Sequence, residues 1–181
     1  MRLETPACDF GDPAPHFCLP DAHGTIHDLN DHITGKGILI AFICNHCPYV
    51  QSIADRLAQD AQKAMDDGIG VLAIMSNDFD SHPADAPDKM VAFAAQHAFP
   101  FPYLVDKEQT VARAYGAVCT PDFFGFSADG LLQYRGRLDD AQMDDTRTRT
   151  PELLNAMRHI AATGAGPLNQ SPSIGCSIKW R

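Results

Sequence analysis

The clearest feature of the hydrophobic pattern is an unbroken apolar run at positions 38 to 43, rich in β-branched and aromatic side chains. Such a run, with Gly35 and Gly37 before it, is typical of a strand buried on both faces. Apolar residues then recur at steps of three and four, namely at Val50, Ile53, Leu57, Ala61, Ala64 and Met65. This spacing predicts an amphipathic helix that follows the strand directly.

The rest of the pattern alternates in the same way and predicts an α/β fold with a central mixed sheet flanked by helices. A second buried strand is expected at 70–75, parallel to the first by the strand–helix–strand rule. Helices are expected at 88–98 and 108–115. Pro121 opens a further strand, whose hairpin partner at 131–135 follows a turn containing Asp129 and Gly130.

Both ends of the chain are expected to pack on this sheet. Two short alternating segments joined by a turn predict an N-terminal β-hairpin over 14–29, at one edge of the sheet. A charged loop at 139–149 precedes a helix with Thr150 as its cap and Pro151 at its first position. Apolar residues alternate again near the C-terminus, which predicts that the tail at 163–181 folds back onto the body.

Length and charge limit the classes of protein to consider. The 181 residues suit a single domain, with a core at about 14–162 and the tail at 163–181. The formal net charge of −9 disfavours nucleic acid and anionic membranes as partners. The first ten residues contain acids and a proline where a signal peptide would be apolar, so a cytoplasmic location is expected.

The candidate chemistry lies at the junction between the first strand and its helix, where Cys44 and Cys47 are three positions apart. Unpaired N–H groups and the helix dipole stabilise a thiolate at such a place, and the thiolate is the reactive form of cysteine. His46, between the two cysteines, adds a positive charge or a hydrogen bond. We therefore expect Cys44, Cys47 and His46 to be catalytic, with Cys44 nearer the solvent and attacking first, and Cys47 resolving the mixed disulfide.

The other cysteines have less defined roles. Cys8 and Cys18 are interpreted as structural or incidental. Cys119 precedes the strand that Pro121 opens, where it could lie near the cysteine pair, and Cys176 in the tail is a possible resolving cysteine. No cofactor and no metal site are predicted. The loop residues Asp78, Asp80, His82 and Asp85 are interpreted as a polar loop and not as a metal site, with Asp85 or its neighbour capping the next helix.

A strand, then Cys-x-x-Cys, then a helix, with Thr120-Pro121 opening a later hairpin, resembles the thioredoxin superfamily. The N-terminal hairpin, the insertion at 76–102 and the runs at 118–124, 134–140 and 173–180 resemble its peroxiredoxin-like branch, the alkyl hydroperoxide reductase/thiol-specific antioxidant group. The resemblance implies a cis peptide before Pro121. It also implies that the loop of Cys119, Thr120 and Pro121 faces the dithiol and pairs with the backbone of a substrate.

Two family features are missing from this sequence. Peroxiredoxins place their peroxide-reactive cysteine in Pro-x-x-x-Thr/Ser-x-x-Cys, but taking Cys47 as that cysteine puts Ile40 and Cys44 in the Pro and Thr positions. Taking Cys44 puts Gly37 and Ala41 there. Thioredoxins also carry a buried acid in the central strand, and none occurs between positions 38 and 43.

We therefore expect a thiol–disulfide oxidoreductase that acts on a protein disulfide and is served by a thiol reductant. One alternative is a peroxide reductase, in which one cysteine of the pair becomes a sulfenic acid and the other condenses with it. A second is a module in which the cysteines and a histidine bind copper or zinc. A third is that both cysteines are inert thiols that pack like small apolar residues.

Overall fold

The computed structural model describes residues 1–141 and 148–181, so the predicted charged loop lies partly outside the described residues. The strands in this part of the chain are β1 (Arg2–Glu4), β2 (Cys18–Pro20), β3 (Ile26–Asp28), β4 (Ile38–Phe42), β5 (Gly70–Met75), β6 (Tyr103–Val105), β7 (Cys119–Thr120), β8 (Asp122–Phe126), β9 (Leu132–Tyr134) and β10 (Ile174–Ser177). The helices are α1 (Pro48–Asp66), α2 (Pro87–Gln96), α3 (Thr110–Ala114) and α4 (Glu152–Thr163), with short 3-10 turns at Leu29–Asp31 and Pro83–Asp85.

A five-stranded mixed sheet in the order β6-β5-β4-β8-β9 forms the centre of the protein. Strands β5 and β6 run parallel to β4, whereas β8 runs antiparallel to it. Alternate residues of β4 face two different apolar clusters, one containing α1 and α4 residues and the other containing α3 and the β2–β3 region. Because both faces of β4 are covered, the strand is apolar throughout. The predicted sheet, flanking helices and N-terminal hairpin are confirmed.

The boundaries of three helices differ from the predictions. Helix α3 is shorter than 108–115 because Gln109, in the left-handed region at φ 60°, stands immediately before it. Helix α4 starts one position later than predicted, with Pro151 as its cap, because the Thr150 N–H donates to the Asp140 carboxylate at 2.6 Å. Helix α2 ends at Gln96, two residues before the predicted 98.

The C-terminal tail is part of a second sheet, in the order β1-β10-β7. Strand β10 lies between the other two and runs antiparallel to both, with Cys176 opposite Thr120 and Gly175 opposite Leu3. Beyond the strand, the Lys179 N–H donates to Asn77 Oδ1 at 2.8 Å. The prediction that the tail packs on the body is therefore confirmed.

None of the described helices is both long enough and apolar enough to cross a membrane.

The close approach of β10 to β7 makes Gly175 a sensitive position. A Cβ atom at Gly175 would lie 2.1 Å from the Thr120 carbonyl oxygen, which is a backbone atom, so one strand would have to move. We expect Gly175→Ala to lower the free energy of unfolding by about 1–3 kcal/mol, as overpacked positions do. Gly35→Ala is the matched control because a Cβ there meets nothing within 4 Å. Urea unfolding of both variants checks this, and equal stabilities would contradict it.

Candidate active site

Cys44, Cys47 and Thr120 form a buried cluster at one end of the central sheet. Strands β4 and β8 are neighbours with Phe42 opposite Asp122, so the residues that follow β4 and those that precede β8 emerge together. Thr120 Oγ1 lies 3.3 Å from Cys44 Sγ, and the Thr120 carbonyl oxygen lies 3.1 Å from Cys47 Sγ. One residue of the predicted substrate loop therefore contacts both sulfurs.

The position of the two cysteines relative to the helix differs from the expectation. Helix α1 begins at Pro48, and Cys47 is its N-cap residue, so Cys47 and not Cys44 stands at the helix N-terminus. Cys44 precedes the helix, and neither sulfur faces the solvent, since Cys44 is 1% exposed and Cys47 is 0% exposed. Proline suits the first helical position because its missing N–H would be unpaired there in any case.

The local contacts divide the pair into an acidic and a non-acidic thiol. The Cys44 thiol donates a hydrogen bond to Cys47 Sγ, which lowers the pKa of Cys47 and raises that of Cys44. Burial opposes the shift at Cys47, but the backbone N–H groups of Val50 and Cys176 and a contact with Thr120 add to it. Burial and the charge of Asp85 raise the pKa of Cys44 further. Near neutral pH the two sulfurs therefore hold one proton between them, and that proton is on Cys44.

The Thr120 carbonyl oxygen is the one contact that favours a protonated Cys47, since an oxygen at 3.1 Å can accept only from a thiol. Three donors, from Cys44, Val50 and Cys176, face the same sulfur. Hydrogen bonds to the charged form lower a pKa. We therefore assign the negative charge to Cys47.

His46 lies on the Cys44 side of the pair and binds a carboxylate that the sequence analysis did not place here. Its Nδ1 is 2.6 Å from Asp85 Oδ2. A nitrogen of the His46 ring, an oxygen of Asp85 and Cys44 Sγ all lie within 4.8 Å of one another. The His46 ring also stacks on the ring of His82, with 5.7 Å between centroids.

Asp85 or its neighbour is predicted to cap α2, and it is the neighbour that does so. The cap of α2 is Ala86, with no side-chain hydrogen bond. The Asp85 carboxylate, 0% exposed, instead accepts from the backbone N–H groups of Asn45 and His46 and from the side-chain amide of Asn77. Asp85 therefore supplies a buried acid from the loop after β5, whereas the central strand β4 carries no acid.

The peptide between Thr120 and Pro121 is cis, as the family resemblance implied. Directly after it, the Asp122 carboxylate forms a buried ion pair with Arg135, at 2.9 Å from Arg135 Nη2. The Arg135 guanidinium also lies over the Phe124 ring, 4.5 Å from its centroid. These contacts fix the start of β8, and with it the position of Thr120.

The remaining predicted residues lie close to the pair but differ in access. Cys119 is fully buried, its Sγ lies 3.6 Å from the Pro121 carbonyl oxygen, and burial raises its pKa to about 12. Cys176 is only partly buried and its thiol contacts Cys47. A cavity of about 180 Å³ opens beside Pro121 and the start of β10, between Tyr49, Ile53 and Ile174.

Two groups of side chains in the described part of the chain have the types and spacing of metal ligands: Cys44 with His46 and Asp85, and His16 with Cys18 and Asp28. In the first group the Asp85 oxygens already accept hydrogen bonds from backbone and side-chain donors, and Cys44 holds its proton. Metal binding requires a deprotonated thiol. This donor set is therefore better suited to moving a proton than to holding copper or zinc.

Comparison with known proteins places this geometry in context. The profile of the AhpC/TSA family matches residues 10–135. Thiol-disulfide oxidoreductase ResA of Geobacillus thermodenitrificans is 28% identical over 133 residues, which cover 72% of this chain and 70% of that protein. Peroxiredoxin Bcp of Escherichia coli is 30% identical over 125 residues, covering 67% and 72% of the two chains.

Among solved structures, an uncharacterized conserved protein from Geobacillus kaustophilus superposes with a TM-score of 0.93 at 39% identity, covering 100% of this chain and 97% of that one. These comparisons confirm the thioredoxin-like fold, the peroxiredoxin-like resemblance and the oxidoreductase class predicted from the sequence. The roles of the individual site residues stay predictions.

The low pKa of Cys47 makes the stability of the reduced protein depend on pH. A thiol whose pKa lies below its ordinary value of 9.0 stabilises the fold fully above pH 9.0, and this stabilisation is lost as the pH falls through the folded-state pKa. We expect the free energy of unfolding of the reduced protein to exceed that of Cys47→Ser by a margin that grows as the pH rises toward 9.0.

Urea unfolding under reducing conditions, at a series of pH values below 9.0, measures this margin. The exposed Cys18, changed to Ser, is the control and should leave the pH dependence as it is in the wild type. A margin that stays constant with pH would show that Cys47 titrates like an ordinary thiol.

Proposed function

The chain belongs to the AhpC/TSA family, and from that premise we propose that it is a thiol–disulfide oxidoreductase whose redox couple is Cys44 and Cys47. One observation carries the proposal. Cys44 Sγ and Cys47 Sγ converge on Thr120 at the N-terminus of α1, at 3.3 Å and 3.1 Å from its oxygens, and hydrogen bonding between the sulfurs lowers the pKa of Cys47 and raises that of Cys44. An anionic sulfur beside a thiol is the arrangement that disulfide exchange needs.

The roles of the two cysteines in this proposal are the reverse of those expected from the sequence. The Cys47 thiolate attacks one sulfur of a disulfide presented to it, and the other sulfur leaves as a thiolate. Cys44 then gives up its proton and attacks the Cys47 sulfur, which expels the second substrate sulfur. The pair ends as a disulfide, and the substrate gains two electrons and two protons.

His46 and Asp85 are proposed as the groups that receive the Cys44 proton. Their nearest polar atoms lie within 4.8 Å of Cys44 Sγ, a distance that one bridging water can span. The charge of Asp85 raises the pKa of Cys44, so the pair keeps Cys44 protonated until its proton is needed. Thr120 is proposed to orient both sulfurs through its hydroxyl and carbonyl oxygens, and Pro121 to line the approach.

The substrate proposed is a protein disulfide or a small peroxide, with a thiol as the reductant that restores the pair. The proposed location is the cytoplasm, where thiols are kept reduced. Peroxiredoxin Bcp is a relative, and this favours peroxide as a second candidate substrate. In that reaction the Cys47 thiolate attacks one peroxide oxygen, the O–O bond breaks, and the other oxygen takes up a proton and leaves as water or an alcohol, so that Cys47 becomes a sulfenic acid. The Cys44 thiol condenses with it, releasing water and forming the same disulfide.

The proposal is tested by the redox state and the activity of single variants. The wild type should form a Cys44–Cys47 disulfide, identified by mass spectrometry, and should catalyse the reduction of insulin disulfides by dithiothreitol. Cys47→Ser should abolish the catalysis, while Cys44→Ser should accumulate a mixed disulfide on Cys47. Cys18→Ser is the control and should behave as the wild type.

Two results would contradict disulfide exchange. Rapid consumption of hydrogen peroxide without insulin reduction would favour the peroxide reductase. A reduction potential below about −300 mV would indicate a structural disulfide.

The role of Asp85 is tested by Asp85→Asn, which keeps the size of the side chain but removes the charge. We expect the Cys44–Cys47 disulfide to close about ten to a hundred times more slowly at neutral pH, because Cys44 loses its proton acceptor. The rate in the variant should rise steeply with pH as hydroxide takes over. Acid-quenched samples, analysed by mass spectrometry after addition of oxidised glutathione, give the rate.

Asp88→Asn, on the exposed face of α2, is the matched control. A purely structural role for Asp85 would slow closure by the same factor at every pH.

A further inference from the structure

The redox couple of the proposed function has no direct access to solvent. Cys44 is 1% exposed and Cys47 is 0% exposed. A thiol or disulfide larger than a few atoms cannot reach either sulfur in this conformation, and disulfide exchange requires contact between the reacting sulfurs. The attack of Cys47 on a substrate disulfide therefore requires a segment to open, whereas an external thiol that meets this closed conformation needs another route to the pair.

Cys176 is the third thiol in contact with Cys47, and it is partly exposed. Its thiol and its backbone N–H both hydrogen-bond to Cys47 Sγ. In the same sheet Cys176 stands opposite Thr120, whose carbonyl oxygen is 3.1 Å from that sulfur. Cys176 thus connects the buried couple with the surface.

The strand that carries Cys176 is held firmly on both sides. On one side the Ile178 N–H donates to the Val118 carbonyl oxygen at 3.2 Å, and on the other the Ser177 N–H donates to the Met1 carbonyl oxygen at 2.8 Å. The Ser173 hydroxyl also donates to the Pro121 carbonyl oxygen at 2.9 Å. The Cys176 thiol is therefore fixed against Cys47 by the backbone, and direct access to Cys47 would require these bonds to break.

We propose that Cys176 is the exchange thiol of this protein, through which an external thiol reductant reduces the buried Cys44–Cys47 disulfide. The inference rests on the proposed function, and it adds the residue at which the external partner reacts.

The steps balance as three exchanges. The Cys176 thiolate attacks the Cys47 sulfur of the Cys44–Cys47 disulfide, and Cys44 leaves and takes up a proton. An external thiolate attacks the Cys176 sulfur of the new Cys47–Cys176 disulfide, and Cys47 leaves as a thiolate. A second external thiolate then attacks the reductant's sulfur in the mixed disulfide, which releases the oxidised reductant and restores Cys176. Two external thiols are oxidised and one protein disulfide is reduced.

The acidities favour the second of these steps. The sulfur that leaves in the second step is Cys47, the acidic one, and a more acidic thiol is the better leaving group. Burial and contact with Cys47 raise the pKa of Cys176 in the reduced protein. Once Cys47 is in a disulfide it carries no charge, so its contribution to that shift disappears and Cys176 ionises more readily.

Neither Cys119 nor Cys18 offers this route. Cys119 is fully buried and its sulfur faces the Pro121 carbonyl oxygen. Cys18 is exposed, but it lies on β2 and donates to Asp28 at 3.2 Å. The cavity beside Pro121 and Ile174 lies at the start of β10, two residues along the chain from Cys176.

The test follows reduction of the oxidised full-length chain by reduced glutathione, with acid quench, alkylation and mass spectrometry of each cysteine peptide. In the wild type, glutathione should appear transiently on Cys176. In Cys176→Ser the rate of reduction of the Cys44–Cys47 disulfide should fall at least about tenfold, since access limits exchange. Cys18→Ser should reduce at the wild-type rate.

A relocated thiol provides a sharper control. The double variant Cys176→Ser/Ser177→Cys keeps a cysteine on β10 but turns it to the other face of the strand, because successive side chains point to opposite faces. It should reduce as slowly as Cys176→Ser. Both variants should keep the far-ultraviolet circular dichroism of the wild type.

Each outcome has a distinct meaning. Glutathione on Cys47 or Cys44 but never on Cys176, or a wild-type rate in Cys176→Ser, would overturn the inference and show that the reductant reaches the pair directly. Locating glutathione in the wild type decides the question even if the variants do not fold. Failure of the wild type to form the Cys44–Cys47 disulfide under oxidant would instead overturn the proposed function.

Discussion

The pairing of β4 with β8 is the interaction on which the candidate site depends. It sets Phe42 opposite Asp122, so the cysteines that follow one strand meet the Thr120–Pro121 segment that precedes the other. Both strands are buried along their whole length. A shift of one residue would exchange the faces of every side chain, so their apolar packing specifies the register. The Asp122–Arg135 ion pair then fixes the end of β8 nearest the sulfurs.

Within this frame, the distribution of one proton determines the chemistry of the pair. A buried anion is costly unless donors surround it, and Cys47 has donors from Cys44, Val50 and Cys176. Cys44 has the buried carboxylate of Asp85 nearby, which disfavours a second negative charge. The asymmetry therefore comes from three separate segments: the start of α1, the loop after β5 and the C-terminal strand. The Cys-x-x-Cys spacing alone does not produce it.

Much of the fold could be predicted because it follows from local periodicity. The apolar run of β4 and the three- and four-residue spacing of α1 each identify an element without any knowledge of its partners. The position of Cys47 at the helix N-terminus could also have been inferred, because a proline directly after it, Pro48, is typical of the first helical position. The role of Asp85 could not have been inferred in this way, because its contacts with Asn45 and His46 join segments about 40 residues apart.

The pairing of the C-terminal tail could not be predicted from local periodicity either. Its alternating apolar residues predict a strand that packs on the body, but periodicity carries no information about which strand edge it joins. The structure places β10 between β1 and β7, so the C-terminal strand lies between the N-terminal strand and the segment whose Thr120 contacts the two sulfurs. The Thr5 N–H donates to the Ser173 carbonyl oxygen at 3.0 Å, at the other end of the same pairing.

This arrangement makes the N-terminal strand β1 relevant to the redox site, although β1 pairs with β10 and not with the segments that carry Cys44 and Cys47. Strand β10 would be an edge strand without β1, and edge strands have unpaired backbone groups and open more readily. By pairing with the outer edge of β10, β1 holds Gly175 against Thr120 and Cys176 against Cys47. A hydrogen bond from the backbone N–H of Cys176 helps to lower the pKa of Cys47. The pairing of the two terminal strands and the reactivity of the cysteine at the helix N-terminus are therefore physically coupled.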